Sequence, residues 1–358
     1  MLPQTDRTIM VWQNIHAPEV TPVAQRLGNQ TRPFWSVMIP TYNPRADYLE
    51  ETLNSVLQQD PGPEQMQIEV VDDGSPKVDV IALVQKIAGD RVTVFRSPVN
   101  KGLAGCWNTC IERSQGEWVH ILHQDDLVFP RFYSVLGRLI YAQPTAGAAF
   151  CRYDFIDSKG ARVLEQPALQ TEAGAIDHPS ETLAIKNQVQ CSAIVVRRSA
   201  YERVGGYDGQ FVFTLDWEMW IRIAAGFPVL YHPELLASFR IQADSETSRL
   251  ARTGETVRDS MRMIESFPNY ITPGRVEAVQ SQARQWVCDL ALQKAEAFFA
   301  NDHAAWAMAQ LHAGLCYDKR LSSWRIAFRC WRRSVRKSKK LIIPPLPLLP
   351  ASWFQPKH

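Results

Sequence analysis

Three clusters of polar residues each follow a short apolar run: Thr41-Tyr42-Asn43, Asp72-Asp73-Gly74-Ser75 and His123-Gln124-Asp125-Asp126. Adjacent aspartates at a strand end repel one another unless hydrogen bonds or a cation offset their charge. A divalent cation does so, and Mg²⁺ or Mn²⁺ is typically held by one or two carboxylates together with substrate phosphates. The chemistry suggested is the handling of a phosphorylated ligand. Each acidic cluster also has a plainer reading, because Asp, Gly and Ser are the residues of turns and helix N-caps. That reading suits Asp72-Asp73-Gly74-Ser75 alone, or Asp125-Asp126 as a capped turn before Pro130; the joint pattern is stronger than either part.

To meet, the clusters must leave the carboxyl ends of parallel strands, the edge at which open α/β sheets bind ligands. Val37-Met38-Ile39 reads as a short buried strand ended by Pro40-Thr41-Tyr42-Asn43-Pro44, and residues 68–71 and 118–122 read as strands running into the two acidic clusters. Between them, Leu49, Leu53, Val56 and Leu57 share one helical face. Residues 78–88 and 103–114 also read as helices, and 92–95 as a strand. Beyond Pro130 come a helix over 132–142, a strand over 148–155, a turn at Asp157-Ser158-Lys159-Gly160, a strand over 193–196, a helix over 216–225 and a strand at Val229-Leu230. This alternation predicts an α/β domain whose parallel sheet is covered on both faces. After Gly254 strand signals stop, and 257–267, 276–299, 304–316 and 322–335 read as helices. The expected division is an N-terminal extension over 1–33, an α/β domain over 34–250, a helical region over 251–340 and a proline-rich tail over 341–358. A single unit faintly like a tetratricopeptide repeat, around Ala291 to Ala313, reads better as a packing helical hairpin, since one copy cannot stack.

Composition sets outer bounds. A chain of 358 residues, 46% hydrophobic and 21% charged, can bury a sizeable core in one large or two ordinary domains. Lys and Arg total 39 against 37 acids, a net charge of +2, so no global field exists for holding nucleic acid. The seven cysteines form no C-x-x-C pair, which argues against a disulfide framework or zinc site and fits a reducing cytoplasm. Residues 1–33 lack the apolar stretch of a secretory signal. The apolar run over 341–353 is broken by four prolines and falls short of the ~20 residues that span a bilayer. Neither G-x-x-x-x-G-K-[ST] nor G-x-G-x-x-G occurs.

Taken in order, Ser36-Val37-Met38-Ile39-Pro40-Thr41-Tyr42-Asn43, Val70-Val71-Asp72-Asp73-Gly74-Ser75, Asn100-Lys101-Gly102 followed by Trp107-Asn108, Gly116-Glu117-Trp118-Val119 and Asp125-Asp126 resemble the motifs of family 2 glycosyltransferases. The resemblance covers residues 34–245 and includes Leu215-Asp216-Trp217-Glu218-Met219-Trp220-Ile221-Arg222, which is similar to the family's acidic motif carrying the catalytic base. It implies the Rossmann-like glycosyltransferase A fold, with a mixed, mainly parallel central sheet. It also implies inverting transfer of a sugar from a nucleotide-diphosphate donor to a saccharide or lipid-linked saccharide, in cell-surface polysaccharide synthesis. Carried over by motif, Pro40, Thr41, Tyr42, Asn43, Asn100 and Gly102 bind the donor and Asp73 hydrogen-bonds its base. Asp126 ligates Mn²⁺ or Mg²⁺, Asp125 touches the ribose or the metal, and Asp216 is the general base. Glu218 is the second catalytic candidate; its plainer reading is an exposed acid in a helix's first turn, favoured by the dipole. The chain departs from the family pattern at His123, where an Asp is frequent, at Trp107, where an Arg is frequent, and at Leu215, where a Glu is frequent. The residue types suit the chemistry: a cation stabilises the charge of a departing diphosphate, and an attacking hydroxyl must give its proton to a carboxylate.

Weaker candidates remain. His232 could approach the diphosphate or metal, and Arg240 and Arg249 suit phosphate. Trp217 and Trp220 read equally as core residues and as platforms for an acceptor sugar. Cys106 and Cys110, at i,i+4, read as packing residues. Ten Lys and Arg residues between Lys319 and Lys340, interleaved with Trp324, Phe328 and Trp331 and free of acids, predict a basic amphipathic helix suited to an anionic membrane, where each nearby basic residue contributes about 1 kcal/mol. A solvated tail or a partner-binding helix is the alternative. The expected location is the cytoplasm, peripheral to the inner face of the cytoplasmic membrane. Two other functions compete: a catalytically idle saccharide-binding or scaffold protein, against which Asp73, Asp126 and Asp216 stand, and a nucleotidyltransferase, against which the missing glycine-rich phosphate loop stands.

Overall fold

The computed structural model describes residues 16–28 and 31–317; the basic segment over 319–340 and the tail over 341–358 fall outside these. The described chain divides into two compact units. The first runs to Gln242 and takes in Asn269–Ile271; the second comprises Ala243–Pro268 and the residues from Thr272 onward.

The strands of the first unit are β1 (Trp35–Thr41), β2 (Met66–Asp72), β3 (Thr93–Arg96), β4 (Trp118–Ile121), β5 (Leu127–Val128), β6 (Ala148–Ile156), β7 (Arg162–Glu165), β8 (Gly174–Ala175), β9 (Ile194–Arg197) and β10 (Val229–Arg240). Its helices are α1 (Val23–Leu27), α2 (Ala46–Leu57), α3 (Val80–Ala88), α4 (Gly102–Arg113), α5 (Phe132–Ala142), α6 (Pro179–Ile185), α7 (Arg198–Val204) and α8 (Leu215–Gly226). The strands form one sheet in the order β3-β2-β1-β4-β9-β6-β10-β5, with β7 on β6 and β8 on β10. β1 to β4 run parallel, β9 is antiparallel to both neighbours, and β10 is parallel to β6. The sheet is therefore mixed and mainly parallel, as expected. β1 is buried along its whole length, the pattern of a strand covered on both faces. Leu49, Leu53 and Val56 of α2 have no exposed surface and join Val37, Ile39, Ile68 and Val70 in the core, each contributing roughly 1.5–3 kcal/mol by burial.

β1 pairs to different lengths with its two neighbours. β1 stays paired with β2 as far as Thr41 opposite Asp72, but its pairing with β4 stops at Met38 opposite Ile121. The Met38 carbonyl accepts the Leu122 N–H at 3.0 Å. Successive residues of a strand address alternate neighbours, so Pro40 turns its backbone nitrogen to the β4 side, where proline has no N–H to give. One ladder bond is thereby lost at the point where the β1–β4 pairing ends.

Some elements depart from expectation. α3 starts at Asp79, whose carboxylate accepts the Ala82 N–H at 3.0 Å; Asp72 to Ser75 are therefore not its cap. β10 continues ten residues past Leu230, carrying Pro233 through register shifts between His232 and Leu235 and between Leu235 and Ala237. In the second unit, α9 (Glu246–Thr253) precedes α10 (Glu255–Glu265), and α11 (Val276–Ala300) and α12 (Ala304–Leu315) form the expected hairpin around Leu292, Ala295, Ala307, Leu311 and Leu315. No helix among the described residues is long and apolar enough to cross a membrane.

Candidate active site

The loops after β1 and β2 and the start of α4 are bonded together. Asp72 is fully buried, and its Oδ1 accepts the Ser75 N–H at 3.0 Å and the Ser75 hydroxyl at 2.5 Å. Ser75 Oγ accepts the Asn43 N–H at 2.7 Å, which holds Asn43 in the left-handed region at φ 44°. The Asp73 N–H donates to the Thr41 carbonyl at 2.8 Å. The Asp73 carboxylate accepts the Lys101 N–H at 2.8 Å and the Gly102 N–H at 3.0 Å, and Asn100 Oδ1 accepts the same Gly102 N–H at 3.0 Å. Burial nonetheless raises the Asp73 carboxyl above the usual range. Gly74 stands at φ 76°, where an added Cβ would sit 3.4 Å from the backbone of Ser97, Val99 and Asn100; glycine is what lets the loop close. The donor-site candidates Thr41, Asn43, Asp73, Asn100 and Gly102 thus meet at one edge. Pro40 lies inside β1, and the Tyr42 ring is 46% exposed.

The loop after β4 joins this edge through Gln124. Its Oε1 accepts the Tyr42 N–H at 2.9 Å, and its Nε2 donates to the Tyr42 carbonyl at 3.4 Å. Asp126 is buried; its Oδ1 accepts the Arg240 N–H at 2.9 Å, while Oδ2 has no hydrogen-bond partner and lies 3.6 Å from His123 Nδ1. Burial, followed by the charge of Asp125, pushes the Asp126 carboxyl well up. Asp125 Oδ2 accepts the Gln242 amide, and burial moves its carboxyl up to about 6. Burial takes the His123 imidazole down to about 4, so it is neutral near pH 7. Its ring stacks on Trp107, centroids 4.8 Å apart; two of the departures from the family pattern touch one another.

This donor set fits a hard divalent cation that takes most of its ligands from a substrate. The buried, unpartnered Asp126 Oδ2 beside Asp125 supplies hard oxygen. No cluster of three or more His, Cys, Asp or Glu residues able to hold a metal occurs among the described residues, so the protein alone offers no complete cage.

Asp216 opens α8, where its Oδ1 accepts the Trp217 N–H at 2.7 Å, and it is half-buried. Burial raises the Cys191 thiol, and the charges of Asp216 and Asp126 add to the shift. Glu218 is not the exposed acid expected. It has no exposed surface, and its oxygens are taken by Arg222 Nη2 at 2.7 Å and the Tyr270 hydroxyl at 2.5 Å. Arg222 also donates to the Val204 and Gly206 carbonyls. Trp217 and Trp220 are buried, and Trp217 Nε1 donates to the Leu183 carbonyl at 2.6 Å. Both are core residues, unable to stack on an acceptor.

The weaker candidates separate. Arg240 is 1% exposed and serves the acidic loop rather than open solvent. His232 precedes it by eight residues on β10, beyond both register shifts, and its ring nitrogen accepts the Glu234 N–H. Arg249 belongs to the second unit and pairs with Glu246 on the surface. Gln242 was not singled out by the sequence, and Gln124 and Ser75 stood in the polar clusters without a role of their own. Only Ser75 carried a signal, since Asp and Ser three apart often bond within a turn.

Residues 36–205 match the family model described as "Glycosyl transferase family 2". An uncharacterized glycosyltransferase of Rickettsia typhi is 24% identical over 267 residues, spanning 74% of this chain and 80% of that protein. Among solved structures, S. aureus TarS 1-349 in complex with UDP-GlcNAc superposes with a TM-score of 0.57 at 13% identity, covering 86% of this chain and 93% of that one. The mannosyltransferase PcManGT from Pyrobaculum calidifontis, in complex with GDP-Man and Mn²⁺, gives 0.51 at 18% identity, covering 89% and 83%. At these identities the two structural likenesses speak for the fold.

Proposed function

Since the chain belongs to glycosyl transferase family 2, we propose that it is an inverting transferase that moves a sugar from a nucleotide-diphosphate donor to a hydroxyl of a saccharide or lipid-linked saccharide. The observation that carries the reading is Asp126, buried with an unpartnered oxygen after the end of β4, together with Asp216 in the first turn of α8. The nucleoside lies along the edge made by Thr41, Tyr42, Asn43, Asp73, Asn100 and Gly102, with the exposed Tyr42 ring as its apolar surface. Asp126, helped by Asp125, would hold Mn²⁺ or Mg²⁺, which when bound supplies positive charge for the departing diphosphate.

The acceptor oxygen attacks the anomeric carbon from the face opposite the diphosphate. One carbon–oxygen bond forms as the bond to phosphate breaks, the electron pair leaves with the nucleoside diphosphate, and the acceptor's proton passes to the Asp216 carboxylate. A single displacement of this kind inverts the anomeric centre. Glu218 is assigned a supporting role, because its oxygens are already engaged by Arg222 and Tyr270, and it braces the first turn of α8 beneath Asp216. Cell-surface polysaccharide synthesis is the setting proposed, with the basic residues over 319–340 favouring a lipid surface.

The test is to offer the full chain a panel of nucleotide sugars with Mn²⁺, Mg²⁺ or chelator, scoring donor hydrolysis and thermal shift. The anomeric configuration of the transferred sugar is then read by NMR. Retention of configuration overturns the single displacement; no response to any donor favours an idle saccharide-binding protein.

A further inference from the structure

Arg240 ends β10 with its side chain fully buried, so it reaches no donor from this position. It nevertheless engages the acidic loop twice: its N–H donates to Asp126 Oδ1 at 2.9 Å and its Nε to the Asp125 carbonyl at 2.9 Å. Nη1 donates to the Asp157 carbonyl at 3.3 Å, in the turn between β6 and β7, and Nη2 to Glu51 on α2 at 2.5 Å. The guanidinium carbon stands 4.3 Å from the centre of the Tyr48 ring. One residue thus ties the acidic loop to a strand end, a turn and a helix. The fork is used at three nitrogens for three different elements, a geometry lysine cannot copy. A buried guanidinium is stable only where acceptors and opposite charge surround it, and here Asp125, Asp126 and Glu51 provide them.

We propose that Arg240 is a positioning residue for sugar transfer: it fixes the Asp125-Asp126 pair in the arrangement that receives the divalent cation and offsets the repulsion between the two carboxylates. The backbone N–H commits Asp126 Oδ1 and leaves Oδ2 for the cation, while the side chain sets where the loop stands. The inference rests on Asp126 being the cation's ligand, so the experiment tests that premise in parallel.

Mn²⁺ binding to the full chain is followed by electron paramagnetic resonance with saturating UDP, and UDP binding without metal by calorimetry. Variants are Arg240→Met, Arg240→Lys, Glu51→Gln and Asp126→Ala. Residues that orient metal ligands typically contribute about 10- to 100-fold in metal affinity. Arg240→Met is therefore expected to weaken Mn²⁺ binding about tenfold or more, Arg240→Lys to restore part of it, and Glu51→Gln to lose a few-fold. Metal-free UDP affinity stays near that of the unaltered chain in the last two. If Arg240→Met does not fold, Arg240→Lys and Glu51→Gln decide the matter. Folded variants at both positions with unaltered Mn²⁺ affinity overturn the proposal. Unaltered Mn²⁺ binding by Asp126→Ala overturns the premise instead.

Discussion

Asp72-Asp73 and Asp125-Asp126 are the same dipeptide at the ends of the two strands that flank β1, yet they differ in what completes them. The first pair has its charge answered: Asp72 Oδ1 bonds Ser75, its Oδ2 makes no hydrogen bond but stands 3.6 Å from the Arg96 guanidinium, and Asp73 takes two N–H groups from the start of α4, where the helix end favours negative charge. The second pair is left open. Asp126 Oδ2 has no hydrogen-bond partner, and burial and the neighbouring acid push its carboxyl well up. An unsatisfied buried acceptor costs ~1–3 kcal/mol or more when charged. A loop that bears this cost is one that a ligand completes, whereas the first loop is scaffold for the nucleoside edge.

The sharpest way to break this contrast is Asp126→Ala. Metal-dependent transfer is expected to fall to background while the melting temperature changes little, because the change removes a buried acid with an unpartnered oxygen along with the acceptor of the Arg240 N–H; turnover with Mn²⁺ and a thermal melt read both. Substantial Mn²⁺-dependent activity in the folded variant would show that the open pair is not the cation site. Next in size, Asp216→Asn should slow transfer by roughly 10²- to 10⁴-fold, the usual range for general base catalysis, with donor affinity retained by calorimetry. Glu218→Gln should act chiefly on stability, since altering one member of a buried ion pair leaves the other uncompensated. If instead Glu218→Gln is folded and dead while Asp216→Asn turns over, the base is Glu218.

Asp72→Ala should do the reverse of Asp126→Ala, lowering unfolding free energy by ~1–3 kcal/mol as the Ser75 bonds are lost, which urea titration measures. Equal stability would mean the first pair is not scaffold. Asp73→Ala is expected to raise donor KM several-fold more than it lowers kcat, the mark of lost ground-state binding. The smallest effect concerns His120, in the strand beneath the open pair. Its Nε2 can only donate to the Ser192 carbonyl at 3.2 Å, which leaves Nδ1 to accept from the Tyr133 hydroxyl at 3.1 Å. Burial lowers it from 6.5 to about 3. Above pH 6.5 both states are neutral at this site and nothing is lost. As pH falls below 6.5 the unfolded chain takes a proton that the folded one refuses, and stability drops by up to ~1.4 kcal/mol per pH unit. His120→Gln should flatten that slope between pH 6.5 and 5.5; an unchanged slope in denaturation series would place the acid sensitivity elsewhere.

Local pattern was enough to specify much of this protein. Alternating apolar runs and helical faces announced the mixed, mainly parallel sheet, and the polar clusters after β1, β2 and β4 announced its ligand edge, because strand ends and turns are written in consecutive residues. α9, between the cap Ser245 and the terminator Gly254, was missed although its end signals stand in the sequence. Contacts between distant residues were not legible. β10 was read only at Val229-Leu230, and it is the sheet's register shifts that carry the strand past Pro233 to Arg240. Arg240 then meets Asp126 across 114 positions of sequence. Glu218 read as a second catalytic candidate or an exposed acid, and Trp217 equally as core or platform; the bonds to Arg222, Tyr270 and Leu183 bury both. The sequence by itself determined which acids stand at strand ends and helix starts; which acid is satisfied and which is left open was decided by the tertiary structure, because hydrogen-bond partners for a buried carboxylate come from whichever segments the fold packs beside it.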